Sequence, residues 1–260
     1  MTSIDYLSPS LYLNYLACPK SFYFKKANYP ATHIKKHHRW LGGLIHHSVF
    51  YRYAYYNEGW HLRNNYLTNK EIYDFVIKYI NAKYDLDETL QNLYLNEEIR
   101  HNERKQSINI SEVYSSLEFV FKVLEKVTEK NVIKDIETML NGTLYYYPIL
   151  GFVDILLEGD QIKFVEIKNS EKFDKRNINL QVFIYSALLK QSLDLSYYPK
   201  AMLVSAKTKT YKIFEFDERD EERHFNLIKF VEESIKNNKF YRVYNDSCRY
   251  CVFRGYCNMK

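Results

Sequence analysis

GFVDILLEGDQIKFVEIKNS, residues 151–170, is the stretch whose reading decides the fold. Two β-rich runs, 151–158 and 161–168, flank a Gly159-Asp160 turn, the pattern of a tight hairpin. Side chains along a strand alternate faces with period two, so Glu166 and Lys168 share a face of the second run. Asp154 on the first run stands at a nearly opposite position on the neighbouring strand. Charge in an otherwise apolar hairpin is either exposed or paired for work.

Metal-assisted hydrolysis of a phosphodiester needs hard oxygen ligands that converge on one point, because Mg²⁺ prefers carboxylates and water. Asp154 and Glu166 are candidates for that, and a lysine such as Lys168 can orient or deprotonate the attacking water and neutralise charge on the phosphate. Taken alone, solvated charge on a surface strand is the favoured account of such a hairpin. The following helix, expected over 178–193, shifts that weighing. It places Gln181 and Tyr185 at i and i+4 on one face, with Leu180, Ile184 and Leu188 on the buried side.

Around this segment the chain reads as α/β. Ser8-Pro9 is a helix start, with Ser8 as N-cap and Pro9 at the first helical position. A second helix is expected over 38–56, carrying Gly42, Gly43, His46 and His47. Residues 57–130 show no strand-like alternation and read as helices, including 70–84 and 111–130. Short β-rich runs follow at 132–138, 144–149, the hairpin, 201–205 and 212–216, and a last helix spans 218–237. The expected organisation is 1–56 as N-terminal helices, 57–131 as a helical lobe or insertion, 132–217 as the core with a mixed sheet flanked by helices, and 218–260 as a C-terminal helix and cysteine segment.

Gly151-Phe152-Val153-Asp154, then Glu166-Ile167-Lys168, then Gln181-x-x-x-Tyr185 resembles, in order and spacing, the RecB-type branch of the PD-(D/E)xK nucleases. Gly42-x-x-x-His46 is similar to that family's histidine motif. The resemblance implies a restriction-endonuclease-like core. In it His46, Asp154 and Glu166 hold Mg²⁺ or Mn²⁺, the backbone carbonyl of Ile167 adds a ligand, Lys168 serves catalysis, and Gln181 and Tyr185 touch substrate. His47 competes with His46, and the Gly42 spacing and Ile45 favour His46. Glu137 could face the site from an earlier strand, but a solvated edge glutamate is the favoured account. Val153 stands where the family name has proline.

Cys18 lies alone near the N-terminus, and Cys248-x-x-Cys251-x5-Cys257 closes the sequence. In a reducing compartment such thiolates read as a metal or cluster site, and ligand counting does not separate Cys₄ zinc from an iron–sulfur cluster. One cysteine before the nuclease core and three after it looks like the iron–sulfur RecB-type nucleases, which include the CRISPR-associated exonucleases, the AddB nuclease domain and eukaryotic exonuclease V. Ser8-Pro9-Ser10 to Cys18-Pro19 with Phe22-Tyr23-Phe24 is similar to that family's opening. The resemblance therefore implies a 4Fe–4S cluster on Cys18, Cys248, Cys251 and Cys257, joining the two ends of the chain.

Composition sets looser bounds. With 260 residues, 46% apolar and 27% charged, the chain can bury a sizeable core. No run approaches the roughly 18 apolar residues of a membrane span, and residues 1–10 lack a basic start and an apolar stretch, so a cytoplasmic protein is expected. Net charge of +5 suits a polyanionic partner. The 26 tyrosines are better explained by AT-rich coding than by base stacking. Lys172, Lys175 and Arg176 could touch phosphates, though a solvated loop is the default. The resemblance implies a single-strand DNA exonuclease, 5′ to 3′ favoured, with endonuclease activity as an added expectation, working on DNA ends for CRISPR spacer acquisition beside integrase subunits. The alternatives are a non-catalytic DNA-binding or assembly subunit of a CRISPR integrase complex and a stand-alone repair or viral exonuclease of the same fold.

Overall fold

The computed structural model describes residues 5–30, 45–46, 48–49, 74, 98–100, 107–169, 175–245, 248–249 and 251–257. Two short helices open it, α1 (Pro9–Ala17) and α2 (Pro19–Lys26). The residue before a proline is pushed out of the helical region. Ser8 and Cys18, at φ −104° and −165°, are therefore extended and mark the starts of the two helices. Ser8 caps by position only: its hydroxyl lies 2.9 Å from that of Ser10 instead of on the helix backbone.

A two-stranded antiparallel ribbon follows, β1 (Glu98–Arg100) with β2 (Ser107–Asn109). Here the expectation of helix throughout 57–130 is corrected: strands of three residues are too short to leave a readable alternation. The helix expected over 70–84 and most of that over 38–56 lie outside the described residues, as do Gly42, Gly43, His47 and Lys172. Helix α3 (Ile110–Thr128) does form, burying Leu117, Val120, Phe121 and Leu124 at helical spacing.

The core is a five-stranded mixed sheet in spatial order β3 (Val132–Thr143), β4 (Pro148–Glu158), β5 (Lys163–Lys168), β6 (Lys200–Ser205), β7 (Thr210–Phe214). All neighbours are antiparallel except β5 and β6, which run parallel and are joined by α4 (Lys175–Ser192). A parallel pair needs such a crossover. Residues 144–147, expected as strand, instead form the β3–β4 turn. Its shape is held by Glu232 of α5 (Glu218–Lys236), a carboxylate with no exposed surface that accepts from the backbone N–H groups of Tyr146 and Tyr147 and from the Tyr12 hydroxyl. Helix α5 is capped as its sequence dictates, with Asp217 accepting from the N–H groups of Arg219 and Asp220 at 2.9 Å each. A last turn of helix, α6 (Arg254–Cys257), ends the described chain.

Two apolar clusters sandwich the sheet. One joins α1, α4 and α5 to Leu140, Ile149, Val153, Leu156 and Phe164, and the other joins α3, Ile45 and Val49 to Ile155, Leu157, Val165 and Ile167. The hairpin of the opening stretch is present but short, its paired residues being Ile155↔Val165, Leu156↔Phe164 and Leu157↔Lys163. Beyond Ile155 the far end of β4 binds the N-terminal segment, Leu7 N–H donating to the Pro148 carbonyl and Leu150 N–H to that of Leu7, both at 2.8 Å. Among the described residues no helix is long and apolar enough to cross a membrane.

Candidate functional site

Where the β4–β5 ladder stops, a side chain takes over from the backbone. Asp154 sits one residue past the last paired position, and its Oδ2 accepts from the backbone N–H of Ile167 at 2.5 Å. The other oxygen, Oδ1, lies 3.2 Å from Nδ1 of His46, on a helical segment. The N–H and C=O of a strand residue point to the same side. The Ile167 carbonyl is therefore turned toward β4 and Asp154, as the sequence reading requires of a ligand.

Glu166 faces the same place by register, since Ile155↔Val165 sets Asp154 opposite it. It is 2% exposed, its Oε1 is ion-paired with Lys168 Nζ, and its buried Oε2 has no hydrogen-bond partner. An unsatisfied carboxylate oxygen in a core is costly unless something positive meets it. Burial, reinforced by Asp154 and relieved in part by Lys168, pushes the Glu166 carboxyl up to about 7. His46 feels burial pulling its imidazole down, but Asp154 and Glu166 outweigh this and hold it above its ordinary range. For Lys168 the same contest between burial and the two carboxylates ends upward, so the amine stays charged.

Gln181 and Tyr185 are each 6% exposed, which corrects the two-sided helix expected from sequence: between Leu180 and Leu189 α4 is buried almost all round. Sandwiched between the sheet and α1, it has no solvent face there. The Gln181 amide nitrogen donates to the Tyr185 hydroxyl at 3.4 Å. Burial, then Glu166, and to a lesser degree Asp154 raise the Tyr185 phenol, so the pair lies within electrostatic range of the carboxylates. Gly151 is required for this approach, because a Cβ there would meet Tyr185 Cε1 at 2.7 Å and Pro9 Cδ at 3.0 Å.

The donor set of His46, Asp154, Glu166 and the Ile167 carbonyl suits a hard divalent cation, and the partnerless Glu166 oxygen fits that use. Among the described residues no three His, Cys, Asp or Glu side chains form a group that could hold a metal ion; His46 is paired with Asp154 and Glu166 with Lys168. A small pocket opens beside Asp154, lined by His46, Val49, Ile136, Glu137 and Ile167. Glu137 is exposed on the edge strand β3, as the sequence reading favoured, and also lines this pocket. Lys175 and Arg176 begin α4, and their side chains lie outside what the structure describes.

The four cysteines are reduced and half-buried. Cys18 falls between α1 and α2, and the C-terminal segment is drawn onto that corner. The Asn245 side chain donates to the Ala17 carbonyl at 3.0 Å, Lys20 N–H to the Tyr241 carbonyl at 3.0 Å, and Phe24 packs on Phe253 and Tyr256. Burial raises the Cys257 thiol, Arg242 lowers it, and Cys18, Cys251 and Cys248 raise it further. Cys257 is therefore within electrostatic range of the other three, while among the described residues no three cysteines stand in a group that could hold a metal ion; by their chemistry four thiols suit zinc or an iron–sulfur cluster alike.

Comparison with known proteins gives a family. A model of the PD-(D/E)XK nuclease superfamily matches residues 6–258. No curated protein matches the chain. Among solved structures, a protein from Eubacterium rectale described as "Putative exonuclease" is similar at a TM-score of 0.51 and 11% identity, covering 95% of this chain and 88% of that one. The structure of SSO0001 is similar over 71% of this chain and 80% of that one, with a TM-score of 0.37 and 18% identity.

Proposed function

The chain belongs to the PD-(D/E)XK nuclease superfamily, and from that premise we propose that it hydrolyses DNA phosphodiesters at Asp154, Glu166 and Lys168 with a divalent cation. One observation carries the reading: His46 pairs with Asp154 where the β4–β5 ladder opens, and Glu166, opposite Asp154 in register, keeps a buried oxygen without a partner. His46, Asp154, Glu166 and the Ile167 carbonyl would hold Mg²⁺ or Mn²⁺, which supplies Lewis-acid polarisation of the phosphate and its attacking water. Lys168, kept charged by both carboxylates, orients that water and offsets negative charge developing on the phosphate. Gln181 and Tyr185, joined by a hydrogen bond and with Tyr185 in electrostatic range of Glu166, contact the substrate in this reading.

The four cysteines hold a 4Fe–4S cluster in this reading, and its role is to staple the chain ends. Support comes from Cys257 lying within electrostatic range of the other three cysteines and from the tail's contacts with α1 and α2. The finer reading is a cytoplasmic, single-strand-preferring exonuclease, 5′ to 3′ favoured, that trims DNA ends for CRISPR spacer acquisition in company with integrase subunits. It rests on the resemblance of the motifs.

The test uses protein purified without oxygen, assayed for iron, and given single- and double-stranded DNA labelled at either end with Mg²⁺ or Mn²⁺. Metal-dependent shortening of single strands supports the reading, and the label that appears first in short products gives the polarity. Intact DNA after incubation with iron-loaded protein overturns the catalytic reading in favour of a binding subunit.

A further inference from the structure

Besides the register shift between Ile133 and Asp135, the ribbon of β3 and β4 changes faces beside Glu137 and Asp154. On β4, Ile149 and Val153 pack toward α1 and α4, whereas Ile155 and Leu157, of the same parity, pack toward α3. On β3 the same slip separates Leu140 from Ile136. The register is unbroken there, with Ile136↔Ile155 and Thr138↔Val153 paired, so Glu137 stands opposite Asp154 at the point of the slip. Glu137 has φ +50°, a left-handed conformation rare for a non-glycine residue within a strand. Such a residue persists only where the surroundings impose it, and it is found at functional sites. Glycine would adopt this backbone without cost, yet the position holds a carboxylate.

That carboxylate lines the pocket formed with His46, Asp154 and Ile167. From across the ribbon, then, comes a third acidic side chain beside the pair supplied by β4 and β5. Glu166, opposite Asp154 in register, adds a buried carboxylate oxygen without a hydrogen-bond partner. Hard divalent cations take several carboxylates and keep waters, which an exposed glutamate at the pocket rim can also orient.

We propose that Glu137 is a further residue of the divalent-cation site, contributing a third carboxylate opposite Asp154, an inference that rests on the nuclease reading of that site. It touches the cation or one of its waters, and the left-handed turn at Glu137 is the device that aims it.

The experiment is Mn²⁺ titration of the DNA-free protein, followed by the electron paramagnetic resonance of free Mn²⁺, with wild type, Glu137→Gln, Glu137→Gly, Glu137→Asp and Asp154→Asn. Glu137→Gln keeps the shape and Glu137→Gly relieves the backbone, so both fold. Each is expected to weaken Mn²⁺ binding about tenfold or more, with Glu137→Asp between them and wild type and Asp154→Asn the weakest. Wild-type affinity in Glu137→Gln and Glu137→Gly, with binding lost in Asp154→Asn, overturns the proposal and leaves the site reading intact. Unchanged binding in Asp154→Asn overturns the site reading and this proposal with it.

Discussion

Asp154 accepts the backbone N–H of Ile167 at 2.5 Å, so a side chain closes the gap where the β4–β5 ladder ends. The relationship ties the two halves of the site together. It fixes the first carboxylate against the strand that carries Glu166 and Lys168, and it orients Ile167, whose own carbonyl is turned to the same side.

Metal binding should release protons. His46 is held above its ordinary range and Glu166 near 7, and both must be deprotonated to ligate a cation. Mn²⁺ affinity is therefore expected to rise between pH 6 and pH 8, by up to about tenfold per unit for each proton displaced. Titrations at fixed ionic strength check this, and a flat profile would remove both groups from the ligand set. Stability without added divalent metal should move the other way. The folded chain keeps the Glu166 proton up to about 7, whereas an ordinary carboxyl loses it near 4.5, so this group's contribution declines as pH rises across that window.

Gly151→Ala should destabilise the fold by about 1–3 kcal/mol, because the new methyl overpacks against Tyr185 and Pro9. Denaturant unfolding measures it. A silent substitution would mean that α1 and α4 can part without loss.

Glu232→Ala should cost about 3 kcal/mol, since it leaves the Tyr12 hydroxyl and the N–H groups of Tyr146 and Tyr147 unpaired in a buried place. Glu232→Gln should cost less. Equal losses in the two variants, read from their unfolding midpoints, would show that the charge and not the hydrogen-bond pattern anchors the turn.

Cys251→Ala should lower the iron content and loosen the C-terminal segment before the sheet, because in the cluster reading Cys251 helps tie that segment to Cys18. Iron analysis and hydrogen exchange at residues 240–257 follow it. Full iron content with unchanged protection would exclude Cys251 from the cluster.

The opening hairpin was legible because its signal is local: period-two apolar runs, a Gly-Asp turn, and charges in strand register. Helices α3 and α5 were legible for the same reason, at period 3.6. Three features were not. The β3–β4 turn depends on Glu232, some 85 residues away in sequence from Tyr147, and no local pattern encodes that bond. The burial of Gln181 and Tyr185 arises from α1 covering α4, a tertiary effect that a helical wheel cannot supply. The left-handed conformation of Glu137 was hidden because a strand is read from its period-two alternation, which carries no sign of one residue at positive φ.

The most direct test of the account is the rate of single-strand DNA cleavage in Mn²⁺ by wild type and Lys168→Ala, with Mn²⁺ binding measured on both. Lys168 pairs with Glu166 beside the two carboxylates and acts on water and phosphate. The account predicts cleavage by wild type, a loss of about 100-fold or more in the variant, and Mn²⁺ still bound. Cleavage by Lys168→Ala at the wild-type rate would contradict it.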